Sequence, residues 1–202
     1  YIAENIGQTG QKVATAFVPD GMSDGNGGIF REDDYDYPDA DSHGYYTAEY
    51  DFDAAKAEAT ELLESIGYKF NDDGTLSDEN PISVEYLINE NTAHQAIAEA
   101  IQSDWSSIGV DVTIKTEEWD TFLNDRKAGA FSIAREGWIA DYDDPINMIE
   151  IFTSDSGNND AQLGKNPENS ATPDWTAYDN LISEIRTTTD NTARVQMLHQ
   201  AE

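Results

Sequence analysis

The chain of 202 residues has no cysteine, so disulfides, thiol catalysis and thiolate metal sites are excluded together. It has few bases. Lysine and arginine number 11 against 41 acids, giving a formal net charge of -30. Nucleic acid and anionic membrane surfaces would be repelled, so neither is expected as a main partner. No apolar run approaches the roughly 20 residues of a membrane span. Histidine is scarce, and His43, His94 and His199 lie far apart with no HExxH pattern, which leaves metal hydrolysis without a basis. There is no G-x-S-x-G elbow and no phosphate-cradling loop. Adjacent acids such as Asp143 and Asp144 serve more often as caps and surface than as a glycoside-cleaving pair. No enzyme, no metal site and no cofactor are therefore expected. The turn Asn71-Asp72-Asp73-Gly74 only superficially resembles a calcium loop, because Lys69 and Asn80 would fall at ligand positions.

What is present is enough for a core: 38% hydrophobic and 10% aromatic residues. Tyr1 to Ile6 reads as the tail of a helix stopped by Gly7. A loop follows from Asp20 to Gly28, and Arg31 to Tyr50 forms a long tyrosine- and acid-rich stretch without period. Such a stretch is either functional or a surface loop pinned by its aromatics. Asp53 to Ile66 is a helix with Asp53 as cap and Gly67 as stop. Ile82 to Ile88 alternates as a strand. A helix capped by Asn91 or Thr92 follows, with Ala93, Ile97, Ile101, Trp105 and Ile108 as its stripe, and Gly109 ends it. Val110, Val112 and Ile114 make a second strand, and Trp119, Phe122 and Leu123 mark a short helix. A third strand through Phe131, Ile133 and Arg135 completes a β-α-β-α-β run with parallel crossovers. After Pro145 come a short helix, a loop from Ser154 to Asn169, a helix opened by Pro173-Asp174, and a last helix capped by Asp190. With no repeat and no Ser/Gly linker, residues 1–202 read as one domain. Its abrupt ends suggest a piece of a longer protein.

The stretch Arg135 to Pro145, REGWIADYDDP, concentrates the unusual features. Its strand runs into Gly137 and Trp138, where backbone can approach a neighbour beside an aromatic wall. Asp141, Asp143 and Asp144 follow, and Pro145 closes the strand while Asp144 caps the next helix. A strand end with a glycine, an aromatic and a carboxylate can hold an extended ligand by its backbone and read its amino terminus.

The segment IGVDVTIKTEEWDTFLNDRKAGAFSIAREGWIADYDDP, Ile108 to Pro145, resembles the oligopeptide- and dipeptide-binding proteins of ABC importers, solute-binding family 5. So do FVPDGM near the start, Tyr50 to Tyr68, SGNN at Ser156 to Asn159, and the terminal ARVQMLHQAE. The resemblance implies an α/β (α+β mixed) fold: the second lobe of a periplasmic-binding-protein type II-like protein, a mixed sheet with flanking helices. It implies capture of peptides without catalysis. Cargo would pass to an ABC permease and its ATPase. A monomeric parent outside the cytoplasm, tethered to the membrane, is expected. Asp141 resembles the carboxylate that pairs with a peptide α-ammonium. Gly137, Trp138 and Ile139 resemble the cleft segment that bonds the peptide main chain. Trp119 resembles a pocket wall. Arg126, Arg135 and His94 resemble basic positions that meet the peptide carboxylate, and His94 stands near a helix start whose amides also favour an anion. Each has a plainer reading: turn former for Asp141, core for the tryptophans, salt-bridge partner for the arginines, solvent-facing helix residue for His94. Glu136 stands where the family pattern has a small residue. The family also includes binders of nickel, opines and sugars, and an adhesion or scaffold domain using the tyrosine-rich loop is a further alternative.

Overall fold

The structure, a computed structural model, describes residues 1–49, 51–165 and 174–202. These group into two compact units, each made of two stretches of chain. No described helix is long and apolar enough to cross a membrane.

The first unit comprises Tyr1–Lys12 and Glu49–Glu136. It opens with a wide helical turn, Ile2–Gly7, that closes on Gln8 at φ 53°, one residue past the expected glycine stop. Helix α1 spans Phe52–Ser65. Its cap is Asp51 rather than Asp53. The Asp51 side chain accepts from the Ala54 amide, whereas Asp53 falls inside the first turn, where its charge suits the positive helix end but its geometry no longer caps. Strand β1 (Ser83–Asn89) pairs in parallel with β2 (Asp111–Glu117) along its whole length, and helix α2 (Thr92–Ser106) makes the crossover. Helix α3 (Trp119–Lys127) leads to β3 (Ile133–Ala134), which pairs in parallel with the other edge of β1. The order β2-β1-β3 puts β1 in the middle, and its Leu87 and Ile88 are fully buried. Both pairings are parallel, and the antiparallel pairing a mixed sheet implies occurs among the described residues only as isolated bridges.

Two sequence expectations shift here. The buried face of α2 centres on Ala98, which is fully enclosed, with Ile101 beside it. Ala93 lies about 140° round the helix from Ala98 at roughly 100° per residue and is exposed. Trp105 falls near the right angle, but at the helix end its indole stays partly in solvent. The third strand is also shorter than its pattern. Only Ile133 and Ala134 pair, and the Arg135 amide adds one further bond to Leu87 O at 3.0 Å.

The second unit comprises Val13–Ala48 and Gly137–Glu202. Helix α4 (Ile146–Ile149) runs into a 3-10 turn (Glu150–Phe152), and α5 (Thr176–Thr187) and α6 (Asn191–Ala201) follow. Asp190 caps α6 as expected, its side chain accepting from the Ala193 amide. Ile146, Ile149, Ile182, Ile185 and Leu198 enclose a core with Val18, Met22 and Phe30 from the first stretch. Pro173, Tyr50 and the 166–169 end of the expected 154–169 loop lie outside the described residues.

The tyrosine-rich stretch is pinned to this core. His199 of α6 stacks between Phe30 and Tyr35, with ring centroids 4.0 and 4.2 Å away. Its Nε2 meets Asp33 Oδ2 at 2.7 Å and its Nδ1 meets the Tyr37 hydroxyl at 3.3 Å. Arg31, also buried, donates to Asp20, Thr15 Oγ1 and the carbonyls of Ser42 and His43. A planar guanidinium satisfies that many acceptors at once, so one arginine organises a loop that has no regular structure.

Candidate functional site

Residues 135–140 form neither helix nor ladder after the single Arg135 bond. Among the described residues, none exchanges a hydrogen bond with the backbone of Trp138 or Ile139. The Ile139 side chain is 89% exposed. A strand end is expected here from the sequence; the structure forms no strand at these residues and leaves Ile139 in solvent beside unpaired backbone.

Asp141 and Trp138 line a polar cleft of about 350 Å³ in the second unit, with Asn147, Glu150, Asp155 and Arg186. Asp141 is exposed, and no described residue hydrogen-bonds or ion-pairs with its carboxylate. Its backbone amide, by contrast, is fixed: it donates to Asn147 Oδ1 at 2.9 Å. The Trp138 indole N–H donates to the same oxygen at 3.2 Å. Glu150 is charge-balanced, accepting from Arg186 Nη2 at 2.9 Å and from the Tyr142 hydroxyl at 2.9 Å. The other two acids of the motif serve the fold. Asp143 accepts from the Ser23 amide, and Asp144 caps the start of α4 through the Ile146 amide while pairing with Arg194 at 3.0 Å. The Ser156–Asn159 motif builds the adjoining loop. Asn159, fully buried, donates to Thr153 O and Leu163 O and accepts from the Leu163 amide.

The remaining candidates belong to the first unit. Trp119 opens α3 and is 46% exposed, its ring tilted against Phe122 with centroids 5.8 Å apart. Half of that indole is therefore available as a wall. Arg126 is engaged internally: its side chain is 10% exposed, lies over the Phe122 ring, donates to Arg135 O at 3.3 Å and pairs with Glu136 at 3.0 Å. Its geometry is that of a salt-bridge partner, and Glu136 is the partner.

Arg135 and His94 make a basic pair. Among the described residues the Arg135 guanidinium has no hydrogen-bond or ion-pair partner, in a chain where acids outnumber bases almost fourfold. Burial, and then the Arg135 charge, hold the His94 imidazole below its usual range. The helix start does not leave amides open for an anion as expected. Asn91 Oδ1 already accepts from the amides of Ala93 and His94, at 2.9 and 3.1 Å.

Sequence reasoning missed Asn147 and the His199 cluster. A buried asparagine has no periodic signature, and His199 meets partners more than 160 residues away in sequence.

Comparison with known proteins gives the family. Residues 1–160 match the family described as bacterial extracellular solute-binding proteins, family 5 Middle. The periplasmic oligopeptide-binding protein OppA of Salmonella typhimurium is 34% identical over 146 residues, covering 72% of this chain and 24% of that protein. The oligopeptide-binding protein OppA of Bacillus subtilis is 30% identical over 205 residues, covering 100% of this chain and 32% of that protein. Among solved structures, Haemophilus influenzae OppA in complex with RPPGFSPFR aligns with a TM-score of 0.72 at 27% identity, over 100% of this chain and 34% of that one. The chain thus spans a quarter to a third of the length of these relatives. The match spans most of the chain, and the chain belongs to the bacterial extracellular solute-binding proteins of family 5.

Proposed function

We propose that the protein carrying this chain is the extracytoplasmic binding component of an ABC importer, and that it captures peptides by features every peptide shares. The observation that supports this most is the Asp141 carboxylate: exposed on a concave polar surface, without a partner among the described residues, beside backbone of Trp138 and Ile139 that is likewise unpaired. A carboxylate so placed pairs with an α-ammonium, and the backbone that runs on from Gly137 through Trp138 and Ile139 accepts an added strand. Neither contact reads side chains. Arg135 and His94 suit a peptide carboxylate, and Trp119 an apolar wall. Arg126 joins them only if it leaves Glu136, and otherwise supports the Arg135 carbonyl.

The mechanism is capture and hand-off. A two-lobed parent closes on the ligand because the closed state makes contacts to both lobes at once. A membrane-tethered monomer then delivers the cargo to a permease and its ATPase. No bond is broken in the cargo and no cofactor takes part.

Calorimetry on the full-length protein tests this with a pool of short alanine homopeptides, dialanine to pentaalanine, and the same pool N-acetylated. A charge-assisted bond of about 1.5–3 kcal/mol predicts a preference for the free amine of roughly 10- to 100-fold, removed by Asp141→Asn. Undiminished binding by that variant sinks the assignment of Asp141.

A further inference from the structure

Asn147 is where the polar groups of the cleft meet. It sits in the four-residue helix α4 and is only 3% exposed. One side-chain oxygen accepts two hydrogen bonds, from the Trp138 indole at 3.2 Å and from the Asp141 amide at 2.9 Å. Close by, the Tyr142 hydroxyl donates to Glu150 Oε1 at 2.9 Å, and the other oxygen of Glu150 holds Arg186. Burial keeps the Tyr142 hydroxyl above the usual phenol range, so it remains a donor at neutral pH.

The chain from 138 to 141 has no ladder to hold it. In a strand, neighbouring backbone would fix the direction of each side chain. Here one amide side chain takes over that task. From the indole and the Asp141 main chain, we propose that Asn147 is the positioning residue of this cleft: it orients the Asp141 carboxylate and the Trp138 ring, and so sets the preference for a free α-ammonium over a blocked one. The inference rests on the peptide-capture reading above.

The chemistry favours an amide at this position. Two N–H donors converge on one oxygen, and a neutral amide accepts both without adding charge to an acidic cleft. Leucine has similar volume and no polar atom, so it would strand a buried indole N–H and a backbone N–H. Aspartate keeps the acceptor, loses the amide donor and adds a negative charge to the cleft. The Arg186–Glu150 pair completes the device. With Glu150 neutralised, Asp141 and Asp155 are the carboxylates of the cleft without a partner among the described residues, and Asp141 is the one whose main chain Asn147 holds, so small changes in its direction alter the strength of the charge-assisted bond.

The test uses the full-length protein and the same two alanine pools, free and N-acetylated. The readout is the affinity ratio between them. In the unaltered protein the ratio should exceed roughly 10. Asn147→Leu should lower it at least fivefold, chiefly by weakening the free-amine pool. Asn147→Asp, which keeps the acceptor and adds a charge that itself favours an ammonium, should not lower it more than about threefold. A ratio unchanged in Asn147→Leu, with Asp141→Asn still abolishing it, overturns the positioning role and leaves the capture reading intact. A ratio near one in the unaltered protein overturns the capture reading itself. A second measurement covers the case in which Asn147→Leu fails to fold. Hydrogen exchange on the unaltered full-length protein should show the Asp141 amide protected at least tenfold over the amide of Ile139. Equal exchange at the two positions overturns the proposal.

Discussion

Glu136→Ala removes the partner of a nearly buried arginine, and the structure predicts that doing so costs stability. The Arg126 side chain is 10% exposed, and Glu136, at 43%, meets it at 3.0 Å. A hydrogen bond to a charged group is worth about 1.5–3 kcal/mol when fully shielded. With one partner nearly half in water, we expect about 1–1.5 kcal/mol, well above the few tenths typical of exposed pairs. Removing any acid also relieves repulsion in a chain of charge -30. The control is therefore Glu58→Ala, on the exposed side of α1, which removes the same charge from a residue with no partner among those described. Urea unfolding of the first unit should move to lower midpoint by about 0.5 M in Glu136→Ala and not in Glu58→Ala, for a slope of roughly 2–3 kcal/mol/M. Arg126→Met should lose as much, and the double variant little more than either single one. Equal midpoints for the two glutamate variants, or additive losses in the double variant, would show that the pair does not hold this corner together.

Gly109 and Gly74 separate backbone strain from steric clash. Both have positive φ, +84° and +80°, but a Cβ at Gly109 would lie 2.6 Å from the Leu76 amide nitrogen while nothing lies within 4 Å at Gly74. Gly74→Ala should cost about 1 kcal/mol and Gly109→Ala at least twice that, read by thermal unfolding. His94 should titrate below the ordinary value near 6.5, and Arg135→Gln should raise it only partway, because burial is the larger cause; NMR of the ring protons reads both. The folded state then binds this proton less readily than the unfolded one. The stability His94 contributes is full above the unfolded value, about 6.5, and is lost as pH falls below it. A His94 titration at or above the ordinary value would remove the basic pair from the site.

The core elements were legible because their signals are local. Alternation marked β1 and β2, and apolar stripes marked α5 and the helix that crosses between the strands. Features that depend on a neighbour were misread. The cap of α1 moved two residues, since Asp51 and Asp53 are equivalent until the backbone of the preceding residue is known. The face of α2 rotated toward Ala98, because the sheet selects the small residue that allows the closest approach. The length of β3 is set by how far it follows β1, and that cannot be read from its own alternation.

The candidate site shows the same division more sharply. Asp141 and Trp138 could be picked out because the motif around them is specific. What makes them usable is a residue outside the motif's conspicuous part. A strand would have carried its own orientation in the ladder, and sequence pattern would then have sufficed. Because the pairing stops at Ala134, the geometry of 138–141 passes to the side chain of Asn147, whose neighbours Ile146 and Met148 suggest only an apolar turn. On the proposal made above, the point at which the ladder ends is also the point at which binding preference comes under the control of a single amide. Substitutions there should alter which ligand end is read before they alter whether the fold forms.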